Sequence, residues 1–328
     1  MSILRYSSAL LLALATAAGA QSSCPSGNDD VRVAALSGLA QVESDQVLPV
    51  MRKVLERRDE CSVSLRRQVI SMLTRSRFGE QTDLFLTVAR NDPSTEVRRA
   101  ALNAIAQVNS ERSAAALDSV VFNAGDSDLR ETALRALAQQ SAPAARQSLH
   151  RAAELTTLPL DLRMRAVSYT SSYNKRYPED TQFLMSLYSK TDSPELRDAI
   201  MRSVANQRVP EATTWLLAIA RDKSRDIDHR RQALSAVGQA ARSNGPSGAT
   251  SIDLKTLIGL YDDFGGQIEM QDRMIDVMSQ LPDQMVTDKL LQLARSEGNV
   301  DLRRKAILRV GQRKDPRVRD FLLEVLSK

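Results

Sequence analysis

The sequence predicts an all-α chain, a right-handed solenoid of about nine stacked helix pairs. Three observations predict it. An arginine recurs at a near-constant interval, apolar residues of helical period surround each copy, and no segment alternates with period two for long enough to need a strand. The register positions are Arg32, Arg66, Arg98, Arg130, Arg163, Arg197, Arg230, Gln271 and Arg303, at intervals of 34, 32, 32, 33, 34, 33, 41 and 32 residues.

Taken in order, the chain opens on an export signal. Arg5 supplies the positive end, Ala9 to Ala15 begins a short apolar stretch, and Ala18-Gly19-Ala20 places small residues before a cleavage ahead of Gln21. The apolar run is well short of the ~20 residues that a membrane-spanning helix needs, so residues 1–20 are expected to be removed. No integral membrane segment is expected after removal. The mature chain then comprises a segment at 21–28 and the solenoid at 29–328, in the periplasm or secreted. The residues before Cys24, Gln21-Ser22-Ser23, lack the pattern of a lipid-attachment site. An oxidising compartment permits a disulfide between Cys24 and Cys61; the alternative is two thiols. Both cysteines stand just ahead of equivalent helix starts, which favours a bridge pinning the first repeats.

In each repeat the first helix, A, carries the register residue. One residue before it stand Leu65, Val97, Leu129, Leu162, Leu196 and their equivalents. Leu102, Leu134 and Met201 come four residues after, and Ile105, Leu137 and Val204 seven after. These offsets share one helical face. Eight residues after, every copy is small, as in Ala106, Ala138, Gly238 and Gly311, which predicts close approach of a neighbouring helix. The second helix, B, is the next apolar run along the chain: Val47–Leu55, Leu84–Ala89, Trp215–Ala220 and Phe321–Leu326 are examples. The long interval before Gln271 holds Ser243–Ser251, whose Gly, Pro and Ser content predicts an inserted surface loop.

The Asp/Glu-x-Arg-x-x-Ala-Leu core, at its spacing of 32–34 residues, resembles the HEAT repeat, in particular the short form of the phycobiliprotein-lyase-like HEAT families. The resemblance covers residues 29–328. It implies an elongated curved rod whose B helices line the concave face. It leaves function open, because such repeats serve scaffolds, lyases and nucleic-acid enzymes alike.

An acid stands two residues before the register position in eight copies, among them Glu96, Asp128, Asp161, Glu195 and Asp301. Residues i and i+2 do not face each other on a helix. The acid is therefore read as a first-turn residue suited to the positive helix end, and the arginine as reaching acids or carbonyls of an adjacent repeat. Pro93, Pro194 and Pro316 are read as helix-start prolines. Function is sought where the copying fails. Repeat 5 carries Tyr169, Tyr173 and Tyr177 at i, i+4, i+8, followed by Phe183 and Tyr188, while Thr170 and Ser171 replace the usual apolar and small residues; Trp215 lies on the next B helix. Such a cluster is either a protein-binding patch or a locally different core. His229 takes a position that is apolar in the other copies and is read as a packed or edge residue.

With only His150 and His229, and two cysteines, no metal-ligand spacing is present. No phosphate-cradling glycine loop or nucleophile turn occurs, and no cofactor is expected. The formal charge of +5, or +4 without Arg5, comes from interspersed signs, which predicts a solvated surface rather than a nucleic-acid site. The function expected is a non-enzymatic, exported scaffold binding a protein or peptide along the concave B-helix surface, with Tyr169, Tyr173, Tyr177, Phe183, Tyr188 and Trp215 as binding residues. The alternatives are a lyase-like enzyme or handler of a chromophore or small molecule, and a nucleic-acid binder. Oligomeric state is left open.

Overall fold

The computed structural model describes residues 28–39, 47–75, 80–172, 177–242 and 252–327. The signal segment, Cys24, Tyr173 and the 243–251 insertion lie outside the described residues. Among those described there are 18 α-helices, one short 3-10 turn and no strand. In chain order they are α1 (Asn28–Leu39), α2 (Val47–Leu55), α3 (Val63–Arg75), α4 (Thr82–Asn91), α5 (Thr95–Gln107) and α6 (Glu111–Asn123). Next come α7 (Ser127–Gln139), α8 (Pro143–Glu154), α9 (Leu160–Ser172), α10 (Pro178–Lys190), α11 (Pro194–Gln207) and α12 (Pro210–Arg221). The last six are α13 (Ile227–Arg242), α14 (Leu254–Asp263), α15 (Ile268–Ser279), α16 (Gln284–Ser296), α17 (Val300–Val310) and α18 (Pro316–Ser327).

Each register residue falls on an odd-numbered helix, so the nine A helices are the odd ones and the B helices the even ones. Local chemistry explains the boundaries. The Asp126, Ser193 and Asn299 side chains accept backbone N–H bonds at the starts of α7, α11 and α17. First-turn acids stand where the register predicts them, for instance Glu96, Asp128 and Glu195. Pro194 and Pro316 open helices, as do Pro143, Pro178 and Pro210, whereas Pro93 stands one residue before the Ser94 N-cap of α5.

One continuous apolar core runs the length of the stack. Consecutive odd helices pack closely along its whole length, while among the even helices only α4–α6–α8 approach comparably and α14–α16 touch weakly. A curved stack crowds its inner layer and spreads its outer one. The odd helices therefore line the inner, concave side, and the expectation that the B helices line it is corrected by this packing. Small residues permit the crowding: a Cβ on Gly238 of α13 would lie 2.6 Å from Val277 Cγ1 of α15.

The register arginines serve the joints between repeats. Arg66 is fully buried and ion-paired at 2.9 Å with Asp92, which closes α4 ahead of the next odd helix. Arg66 also donates to the Asp59 carbonyl and to Ser62 Oγ. Arg98 reaches Asp126 at 3.0 Å, and Arg163 and Arg230 donate to the Ala153 and Ala220 carbonyls, which end the preceding even helices. Two first-turn acids take a different partner, the arginine one residue along in the preceding odd helix, in Arg67–Glu96 and Arg99–Asp128, whereas Asp228 and Asp301 meet Arg231 and Arg304 of their own helices. The even layer is held by longer bridges. Arg112 meets Asp83 between α6 and α4, Arg151 meets Asp118 between α8 and α6, and Lys289 meets Asp262 between α16 and α14.

Candidate functional site

The side chains that the stack leaves over lie on one stripe of the odd helices. The stripe sits about two, five and nine residues beyond each register position, on successive turns of the same face. Two grooves run along it. The larger, about 520 Å³, lies between α3 and α5 and is lined by Gln68, Ser71, Arg75, Asn103 and Gln107. The second, about 340 Å³, crosses α11, α13 and α15 and carries Arg202, Gln232, Ser235, Gln239, Arg273 and Gln280. Asp198 sits at its edge. Burial raises the Asp198 pKa, an effect opposed by the Arg202 and His229 charges and reinforced by Glu195. His229 itself is half-buried, with Nδ1 4.0 Å from Asp226. It is the packed edge residue that the sequence suggests.

Among the described residues, the aromatics of repeat 5 do not form one patch. The helical spacing from Tyr169 to Tyr177 is broken, because α9 ends at Ser172 and Tyr177 is the extended N-cap residue of α10. The physical reason is Pro178, which pushes the residue before it out of helical conformation. Tyr169 and Tyr177 nonetheless line one small cavity of about 190 Å³ with Arg146, Leu149, Thr170 and Asp180. The Arg146 guanidinium lies 4.6 Å from the Tyr177 ring centre.

The other three rings act as joints of the even layer. Phe183 of α10 stacks on His150 of α8, with centroids 3.8 Å apart and planes within 4°. His150 Nε2 also lies 2.7 Å from Asp180 Oδ1. Tyr188 is buried and meets Trp215 of α12 edge to face at 5.0 Å. Rings thus bridge α8 to α10, beside the Arg146–Glu179 and Lys190–Glu154 pairs, and α10 to α12. Tyr188 is a core residue and Trp215 packs against that core. Thr170 is buried and its hydroxyl bonds the Val167 carbonyl, so it adapts its helix to a polar residue without opening a surface.

Residues 82–168, from α4 into α9, match the family model of HEAT repeats. Among solved structures, the chain is similar to that of Kap121p bound to Pho4p, with a TM-score of 0.51 at 14% sequence identity. The fold is that of a HEAT-repeat solenoid. The likeness to Kap121p covers 91% of this chain, which spans 37% of that one, and at this identity it speaks for the fold alone. No curated protein matches the sequence. Among the described residues, no helix is long and apolar enough to cross a membrane.

Proposed function

We propose that this HEAT-repeat chain is a non-enzymatic, exported scaffold that takes a protein or peptide partner on its inner face. One observation carries the reading: the exposed polar stripe on the odd helices, with its two grooves, is the surface that stacking leaves unused. A packed solenoid has no structural need for side chains there, and a long concave surface suits an extended contact. Kap121p, similar in fold, is a chain solved with a bound protein. Export rests on Arg5, the apolar stretch and Ala18-Gly19-Ala20. A Cys24–Cys61 disulfide, formed in an oxidising compartment, would tie the N-terminal segment to the turn before α3.

The test is site-specific photo-crosslinking in the producing cell, with the crosslinker at inner positions Gln68, Asn103 or Gln232, or at outer positions Thr87, Gln182 or Thr214. Protein adducts from inner positions alone are expected. Equal trapping from outer positions, or none from any inner one, overturns the scaffold reading. A second reading, a small-molecule handler akin to lyases with this repeat, rests on the cavity lined by Tyr169 and Tyr177. Its signature would be a bound chromophore in the purified protein, released by Tyr177→Ala.

A further inference from the structure

The residue nine beyond the register position is Gln107, Gln139, Asn206, Gln239, Gln280 and Gln312 on α5, α7, α11, α13, α15 and just past α17. A primary carboxamide thus recurs at one place, interrupted by Arg75 on α3 and Ser172 on α9. Its neighbour one residue further on shows what a stacking residue does there. Gln140 donates to the Ile105 and Val108 carbonyls at the end of the preceding odd helix, Gln207 to Thr170, and Arg313 to Met278 and Ser279. The carboxamides point elsewhere. Gln107, Gln139, Gln280 and Gln312 are exposed and hydrogen-bond to no described residue, while Gln239 donates to Asn206 across the groove at 3.0 Å.

Charge is uneven along this ladder. In the α3–α5 groove Arg67 is taken by Glu96, which leaves Arg75 alone without an ion pair among the described residues, and on α15 Asp276 is taken by Lys305 and Arg309. Between them, the α11–α13–α15 groove is lined by Arg202, Arg242 and Arg273 with Asp198 as the one acid of its lining, and Arg273 Nη1 lies 3.8 Å from Asp276 at its edge. Among the described residues Arg202 and Arg242 make no ion pair, and Arg273 Nε is spent on Ser235 Oγ at 2.6 Å.

We propose that this groove binds an extended acidic stretch of a partner polypeptide, its main chain on the carboxamide ladder and its carboxylates on Arg202 and Arg242. The inference rests on the scaffold reading and names the partner's chemistry. A carboxamide offers one acceptor and two donors side by side, which matches the C=O and N–H of a peptide unit whatever side chain that unit carries. Helices pack about 8–10 Å apart, and one turn of a polyproline-II chain, three residues, advances about 9 Å. An extended chain therefore presents the same face to each successive carboxamide. Guanidinium forks then select carboxylates from among the side chains that project toward them. A single-stranded nucleic acid is the other polyanion of this shape, but none of the residues lining the groove is an aromatic on which bases stack.

The test is fluorescence anisotropy on the full chain, with labelled peptides of four Glu-Ala-Gly or four Gln-Ala-Gly repeats, and a labelled oligo-dT of equal length. The acidic peptide is expected to bind at least about tenfold tighter than its Gln counterpart. Arg202→Ala with Arg242→Ala removes that margin, while Gln239→Ala with Gln280→Ala weakens both peptides alike. These side chains are exposed or half-buried, so thermal melts of both double variants should match the parent. Equal binding of the two peptides, tighter binding of oligo-dT, or an unchanged margin in the arginine variant overturns the proposal. Crosslinks at Asn103 without acidic-peptide binding would leave the scaffold standing and remove only this groove; loss of all inner crosslinks would remove both.

Discussion

The odd and even helices solve the same stacking problem in different ways. Odd helices meet through small residues and buried contacts, such as Gly238 against Val277, and Arg66 of α3 is buried on Asp92 in the turn that leads from α4 into α5. Even helices, which stand further apart beyond α4–α6–α8, reach one another with long side chains or rings, as in Lys289–Asp262 and His150–Phe183. The difference teaches where stability and function part. On the crowded inner layer, repeated residues that face a neighbour are joints. Those on the same helices that face the concavity are left without a structural duty, and they are the ones to test for binding.

The largest break in this comparison is expected at the inner joint made by Arg66. Replacing it with Met strands Asp92 as an unpaired buried acid, and removing one partner of such a pair costs about 3–5 kcal/mol. Urea denaturation of Arg66→Met should show that loss, and Asp92→Asn in the same background should recover part of it. Glycines give the next contrast. Gly238→Val overpacks the inner layer by about 1–3 kcal/mol, and Val277→Ala should partly rescue it in a double-mutant cycle. On the even helix α14, a Cβ on Gly259 would meet nothing within 4 Å. There Gly259→Ala should instead gain up to ~1 kcal/mol from helix propensity alone.

A pH series sharpens the comparison at the α15–α17 joint. Burial pushes the Asp276 carboxyl up, but hydrogen bonds from Lys305 and Arg309 and their charges outweigh it, leaving its pKa below the ordinary carboxylate value. The stabilisation it contributes is therefore present above the unfolded pKa near 3.9 and is lost as pH falls through the lower folded value. Asp276→Asn should be less stable than the parent at neutral pH, and the two should converge in strong acid. The smallest effect belongs to the outer layer. Arg112 and Asp83 are well exposed, so Arg112→Ala should cost under ~1 kcal/mol, a difference that salt screens.

Much of the architecture is legible in the register. All nine odd helices, the first-turn acids and the small residue eight beyond the arginine follow from one repeated pattern. The inner layer is not, because periodicity says which residues face a neighbour and not how far apart the neighbouring axes lie. The aromatic cluster misleads for a different reason. Tyr169 and Tyr177 share a helical spacing although Pro178 stops Tyr177 from continuing the helix, and Phe183 and Tyr188, on one helix, turn to opposite neighbours. The carboxamide ladder escapes a reading built on apolar positions although its signal is present. It lies one residue beyond the small position, and it shows only when polar residues are aligned as carefully as apolar ones.

The bridging pattern of the even layer also has a mechanical consequence. Joints of close-packed small residues set a nearly fixed spacing on one side, even where exposed pairs such as Arg67–Glu96 flank them. On the other side the exposed ion pairs are the main contact, tolerate a range of lengths and weaken as salt rises. Bending is then concentrated along a line near the odd helices, and ionic strength acts on the opposite edge. Small-angle scattering across a salt titration would read this as a change in the rod's radius of curvature at constant helix content.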